Sequence, residues 1–73
     1  MAKNPIAEII GNNIKTEAEK QGVKLWVIAM RLNVSEGTLY AWVEGRRVIT
    51  VYGLVRVSRI LGVTMEQLTH GII

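Results

Sequence analysis

Apolar residues recur along this chain at helical rather than strand spacing. Ile6, Ile10, Ile14 and Ala18 repeat every four residues, which gathers them along one face of a helix. Asn4-Pro5 opens that helix, because Asn caps free N–H groups and Pro at the first helical position loses no hydrogen bond. Gly22 supplies the stop, so a first helix is expected from about Pro5 to Gln21. Glu8 lies near its positive end, where a carboxylate is favourable. Gly11 costs roughly 1 kcal/mol against alanine inside a helix, and it is expected to mark the close packing of another helix.

From Leu25 to Gly45 the sequence LWVIAMRLNVSEGTLYAWVEG places two short helical patterns around the turn Asn33-Val34-Ser35. Leu25, Ile28, Ala29 and Leu32 share one face of the first pattern, and Leu39, Trp42 and Val43 share one face of the second. Asn33 can adopt the left-handed conformation that ends a helix, Ser35 can accept an N–H at the start of the next, and Gly45 ends the pair. Two helices joined by so short a turn cross steeply and read as a helix-turn-helix, with one face of the second free to meet a partner. Arg46 to Ile49 reads as a loop. Thr50 then caps a fourth helix with Val51, Leu54, Val57, Ser58 and Leu61 inward and Gly62 at its end. Thr64 and Gln67 form a capping box for a short fifth helix with Met65 and Leu68 inward and Gly71 near its end. No strand alternation, repeat or linker interrupts the pattern, so a single all-α domain of five helices spanning residues 1–73 is expected.

Composition narrows the function. A chain of 73 residues supports one modest core and leaves little scaffold for an active-site cleft. It has no cysteine and one histidine, His70, so neither a disulfide framework, a thiolate metal site nor a Ser-His-Asp constellation stands out, and there is no phosphate-cradling glycine loop. An enzyme, a cofactor and a small-molecule substrate are not expected, and His70 reads as a surface residue. The longest apolar run, Leu25 to Met30, is far short of the roughly 20 residues that span a bilayer, and the N-terminus lacks a signal-peptide pattern. A cytoplasmic protein with no membrane partner is expected. Nine Lys and Arg against six Glu give a net charge of +3, which tilts toward a polyanionic partner only where the cations cluster. Arg46 and Arg47 are adjacent, and Arg56 and Arg59 lie three apart.

The chain resembles the phage repressor and Cro type of helix-turn-helix domain, the XRE family, over nearly its whole length. The resemblance rests on Ile10-Gly11, Ile14, Gly22, Ile28-Ala29, Leu32, Val34-Ser35, Thr38-Leu39, Trp42, Gly45, Leu54, Leu61-Gly62-Val63-Thr64 and Leu68 in their joint spacing. It implies a five-helix, lambda-repressor-like DNA-binding domain whose third helix enters the major groove. Such domains usually act as homodimers on a pseudo-palindromic double-stranded DNA operator, with half-sites about 34 Å apart. Carried over by position, the base-reading residues are Glu36, Gly37, Thr38 and Ala41, with Tyr40 alongside. Ser35, Arg46, Arg47 and Tyr52 approach phosphates. The implied function is a small transcriptional regulator of phage or prophage type, Cro-like or repressor-like.

Side-chain chemistry tests that face. Arg or Lys on guanine and Asn or Gln on adenine are the strongest base readers, and the third helix has none of them. Glu36 is either an acceptor for cytosine N4 or an acidic residue complementing the helix N-terminus. Thr38 either meets a base or serves the cap. Gly37 either permits a close approach to DNA or merely weakens the helix, and Tyr40 is either a surface aromatic or a phosphate donor. Arg46 and Arg47 follow the third helix directly and are the best phosphate candidates. Trp42 sits at the inward spacing and belongs to the core. Arg56 and Arg59 are solvated or dimer-interface charges.

The second helix departs from the pattern. Leu25 stands where the family has a polar phosphate contact, and with Trp26, Val27 and Met30 it makes this helix apolar nearly all round. Trp26 and Val27 point away from the expected core. Such a patch on a small domain marks a protein-partner surface or self-association, the bland alternative being core packing against the N-terminal residues. The alternative function is a protein-binding module of helix-turn-helix fold, such as an antirepressor, antitoxin or co-regulator that captures a phage repressor through this surface. Ile72-Ile73 is a second candidate contact, a dimer seam.

Overall fold

The Asn4 side chain accepts the N–H groups of Ile6 (2.9 Å) and Ala7 (3.2 Å), tying off free amides at a helix start. In the computed structural model, which describes residues 4–72, this cap opens α1 (Pro5–Gln21). It is followed by α2 (Leu25–Leu32), α3 (Glu36–Val43), α4 (Val51–Leu61) and α5 (Met65–Thr69). The expected stops are left-handed, with φ of 69° at Gly22, 60° at Asn33 and 67° at Gly62. Ser35, Thr50 and Thr64 each accept an N–H of the following turn at 2.9–3.0 Å. Gln67 Oε1 accepts the Thr64 N–H in return (2.8 Å), which completes the capping box. No helix among the described residues is long and apolar enough to cross a membrane.

Each helix sends one large side chain to the centre. Ile14, Ile28, Leu39, Val57 and Leu68 have no exposed surface, and Ile10, Ala18, Leu32, Trp42, Leu54 and Leu61 pack around them. Sequence periodicity misplaces two residues. Ile6 is 50% exposed while Ala7 is buried, because a four-residue repeat drifts by about 40° per step on a helix of 3.6 residues per turn. Val51 is 78% exposed. It is the first residue of α4, where Ile49 from the preceding loop is buried instead and lies with Trp42 against Gly53. Of the candidate dimer contact, Ile72 is half-buried against its own core, and Ile73 lies outside the described residues.

Two glycines let α1 lie directly on α3. A Cβ on Gly11 would overlap the carbonyl oxygens of Trp42 and Val43, and one on Gly45 would come within 2.9 Å of the Glu8 Cα. The Asn4 N–H also donates to the Gly45 carbonyl (3.2 Å), so the C-terminal end of α3 is registered against α1. Three helix ends are closed by side chains from elsewhere in the fold. Asn13 Nδ2 donates to the Leu68 and His70 carbonyls (2.8 and 2.9 Å), Gln21 Nε2 to the Leu61 carbonyl (2.6 Å), and Arg56 Nη2 to the Arg31 carbonyl (2.9 Å). Carbonyls at a helix C-terminus lack intrahelical partners, so these bonds join the helices while satisfying them.

Candidate nucleic-acid interface

The N-terminal half of α3 stands on the surface because its other side is fixed by Leu39, Trp42 and Val43 in the core. Glu36 and Gly37 are exposed, Thr38 is half-buried, and Tyr40 is 39% exposed. The Ser35 hydroxyl is engaged by the cap. It accepts the Thr38 N–H (3.0 Å) and donates to Thr38 Oγ1 (2.9 Å), which orients both hydroxyls before any partner arrives.

Ala41 does not belong to this face. Its side chain is 5% exposed, and its carbonyl accepts the N–H groups of Arg46 (2.9 Å) and Arg47 (3.2 Å). The chain therefore folds back onto the C-terminal part of α3, and a methyl group so buried does not reach a base edge. Tyr40 borders a cleft of about 400 Å³ shared with Lys15, Glu19, Lys24, Leu25 and Trp26, which places it beside the start of α2.

The folded-back loop carries the basic pair outward. Arg46 and Arg47 are both exposed, but their situations differ. Arg46 Nε donates to Glu44 Oε1 at 2.9 Å, whereas the Arg47 guanidinium has no hydrogen-bond or ion-pair partner among the described residues. Tyr52 is 70% exposed, with the Arg56 guanidinium 5.7 Å from its ring centroid and Arg56 Nη1 donating to its hydroxyl (3.3 Å). Arg56 is therefore not the free surface charge that sequence spacing implied. It braces α4 against the end of α2.

Charge is distributed unevenly around this motif. Between Lys24 and Arg56 stand five cations, Lys24, Arg31, Arg46, Arg47 and Arg56, against Glu36 and Glu44. The rest of the chain balances four cations with four carboxylates, so the net charge of +3 belongs to the segment from Lys24 to Arg56, which runs from the start of α2 through the loop after α3 into α4. Sequence reading had seen only partial clustering, because these residues come from different turns. It also missed Val48, 54% exposed, which with Val51 and Tyr52 adds apolar surface beside the basic pair.

The apolar surface of α2 is narrower than expected. Leu25 is half-buried and packs on the core, and Val27 is half-buried. Leu25 shares the inward stripe with Ile28 and Leu32 at helical spacing, so only part of it faces outward. Trp26 and Met30 remain, 52% and 63% exposed and four residues apart on one face.

No family model matches the chain, and no curated protein matches it by sequence. Solved structures do. The chain is similar to the clp gene regulator ClgR from Corynebacterium glutamicum, with a TM-score of 0.84 and 24% identity over 92% of this chain and 71% of that one. A second structure of that regulator gives 0.82 and 24% over 90% and 86%. The restriction-modification controller protein C.AhdI from Aeromonas hydrophila gives 0.78 and 11% over 85% and 94%. With identities this low the likeness is one of fold, and it coincides with the helix order, caps and turn described above. The described residues form a five-helix, all-α domain of helix-turn-helix fold, with the motif on α2 and α3.

Proposed function

We propose that the chain is a DNA-binding transcriptional regulator, Cro-like or repressor-like, that occupies a double-stranded operator through α3. One observation carries this reading: the segment from Lys24 to Arg56, which presents the capped, exposed start of α3, holds five cations against two carboxylates, while the rest of the chain is balanced. Phosphate contacts supply affinity and position, and base edges supply selectivity. Arg47 is the leading phosphate ligand because its guanidinium is uncommitted, and Arg46 joins it when released from Glu44. The Tyr52 hydroxyl, already accepting from Arg56, retains its own proton for a phosphate oxygen. Glu36 and Thr38 are the side chains nearest to base-reading work. The likeness to a gene regulator and a controller protein supports a regulatory role, and a phage-type, cytoplasmic homodimer on a two-fold operator is the form we infer.

Gel shift tests the reading. The wild-type chain is expected to shift a fragment of its own promoter region at low salt, with affinity falling steeply as salt rises. Arg47→Ala is expected to reduce the slope of log affinity against log salt by about one unit. Absence of a specific shift across all flanking intergenic DNA overturns it.

The exposure of Trp26 and Met30 favours a second reading, in which the fold captures another regulator such as a phage repressor, as an antirepressor, antitoxin or co-regulator. On that reading Trp26→Ala abolishes capture of a neighbouring regulator while melting is nearly unchanged. Capture that survives the substitution refutes it.

A further inference from the structure

Of the seven glycines in the chain, the fold accounts for six. Gly22, Gly45, Gly62 and Gly71 have φ between 67° and 99°, where a side chain is strained. Gly11 and Gly53 meet neighbouring atoms at distances that leave little or no room for a Cβ. Gly37 is the exception. Its φ is not left-handed, and a Cβ there would meet only the Ser35 Oγ, at an ordinary 3.8 Å. It is the second residue of α3 and fully on the surface. Alanine would fit and would favour the helix, so nothing within the folded chain calls for glycine at this position.

The neighbouring residues point to what does. Glu36, Gly37 and Thr38 make up the exposed start of α3, and the helix carries no Arg, Lys, Asn or Gln with which to reach a base from a distance. Thr38 is short, half-buried and held to Ser35. It reaches a base edge only if the helix itself comes close. A helix about 10–12 Å across with its side chains just enters a major groove about 12 Å wide, so each side chain on its leading edge limits how deep it sits. We propose that Gly37 is the point at which the α3 backbone rests on base-pair edges in the major groove. Its missing side chain sets the docking depth that brings Glu36 and Thr38 within reach of the bases. This inference rests on the DNA-binding reading and assigns selectivity to close approach in place of long side chains.

The test uses the whole chain and a duplex enriched by the wild-type protein from a random-sequence pool. Affinity for that duplex and for a scrambled duplex is compared among wild type, Gly37→Ala and Gly37→Ser, alongside melting of each protein. Gly37→Ala is expected to raise Tm slightly, the position lying at the helix start and not in its middle, and to lower affinity for the selected duplex at least tenfold. Binding to the scrambled duplex, carried by phosphate contacts, stays within about twofold, and Gly37→Ser loses the same discrimination. A Gly37→Ala protein that separates the two duplexes as well as wild type overturns the inference alone, as does a fall in its Tm. Failure of the wild-type chain to enrich any duplex overturns the DNA reading, and this inference with it.

Discussion

Replacing Gly11 by alanine puts a methyl group where the Trp42 and Val43 carbonyls of α3 already stand. Two effects oppose each other. Alanine in place of glycine in the middle of a helix stabilises by about 0.5–1 kcal/mol, whereas an extra methylene forced into a packed site costs about 1–3 kcal/mol. Here the obstruction is backbone, which cannot turn aside as a side chain can, so the cost falls in the upper half of that range. The net expectation is a loss of about 1–2.5 kcal/mol. For a domain of this size each kcal/mol moves Tm by about 4–8 °C, so Tm falls by about 4–20 °C. Circular dichroism melting of Gly11→Ala against wild type measures it directly. The same substitution at Gly37, in open space, is expected to raise Tm, so the pair shares a chemistry and differs in sign. A Gly11→Ala protein that melts at or above wild type would refute the claim that direct α1–α3 backbone contact seats α3. Its DNA affinity is expected to fall as well, since α3 must move off α1 to admit the methyl.

Two further outcomes test the electrostatic and bracing contacts. Glu44→Gln removes the carboxylate that holds Arg46, and gel shifts over a salt series are expected to show tighter binding and a slope steeper by up to about one unit. An unchanged slope means that Arg46 does not meet phosphate even when free. Arg56→Ala removes the bond to the Arg31 carbonyl and the contact with the Tyr52 ring. A loss of about 0.5–1.5 kcal/mol is expected in chemical denaturation, and equal midpoints for variant and wild type would show that α4 does not brace α2.

Local signals carry far in this chain. Asn4-Pro5, Asn33, Ser35, Thr50, Gly62 and the Thr64/Gln67 pair act within three or four residues of themselves, so the helix limits and the turn of the motif follow from neighbouring sequence. Gly11 also signalled close packing, although what it packs against came from α3, some 30 residues away along the chain. The interface was less legible. Ala41 occupies a groove-facing position in the resemblance, yet it is buried in the fold. Burial by contacts between segments leaves no periodic trace in a sequence. Ile49, a buried loop residue, went unnoticed for the same reason.

What the sequence determined alone was the set of helices, the stripe each turns inward and the chemistry on offer in the third: no long base reader, one carboxylate, one glycine, one threonine. Those follow from backbone propensity, capping and the 3.6-residue turn, all of which are local. Tertiary structure decided which of those side chains meet solvent and which charges act together. It tied Arg46 to Glu44 and left Arg47 free, turned Arg56 into a brace, half-buried Leu25, took Ala41 off the surface, and left Gly37 as the one glycine without an internal cause. The physical reason is that exposure and pairing belong to contacts between segments, whose distances are set only when five helices share one core.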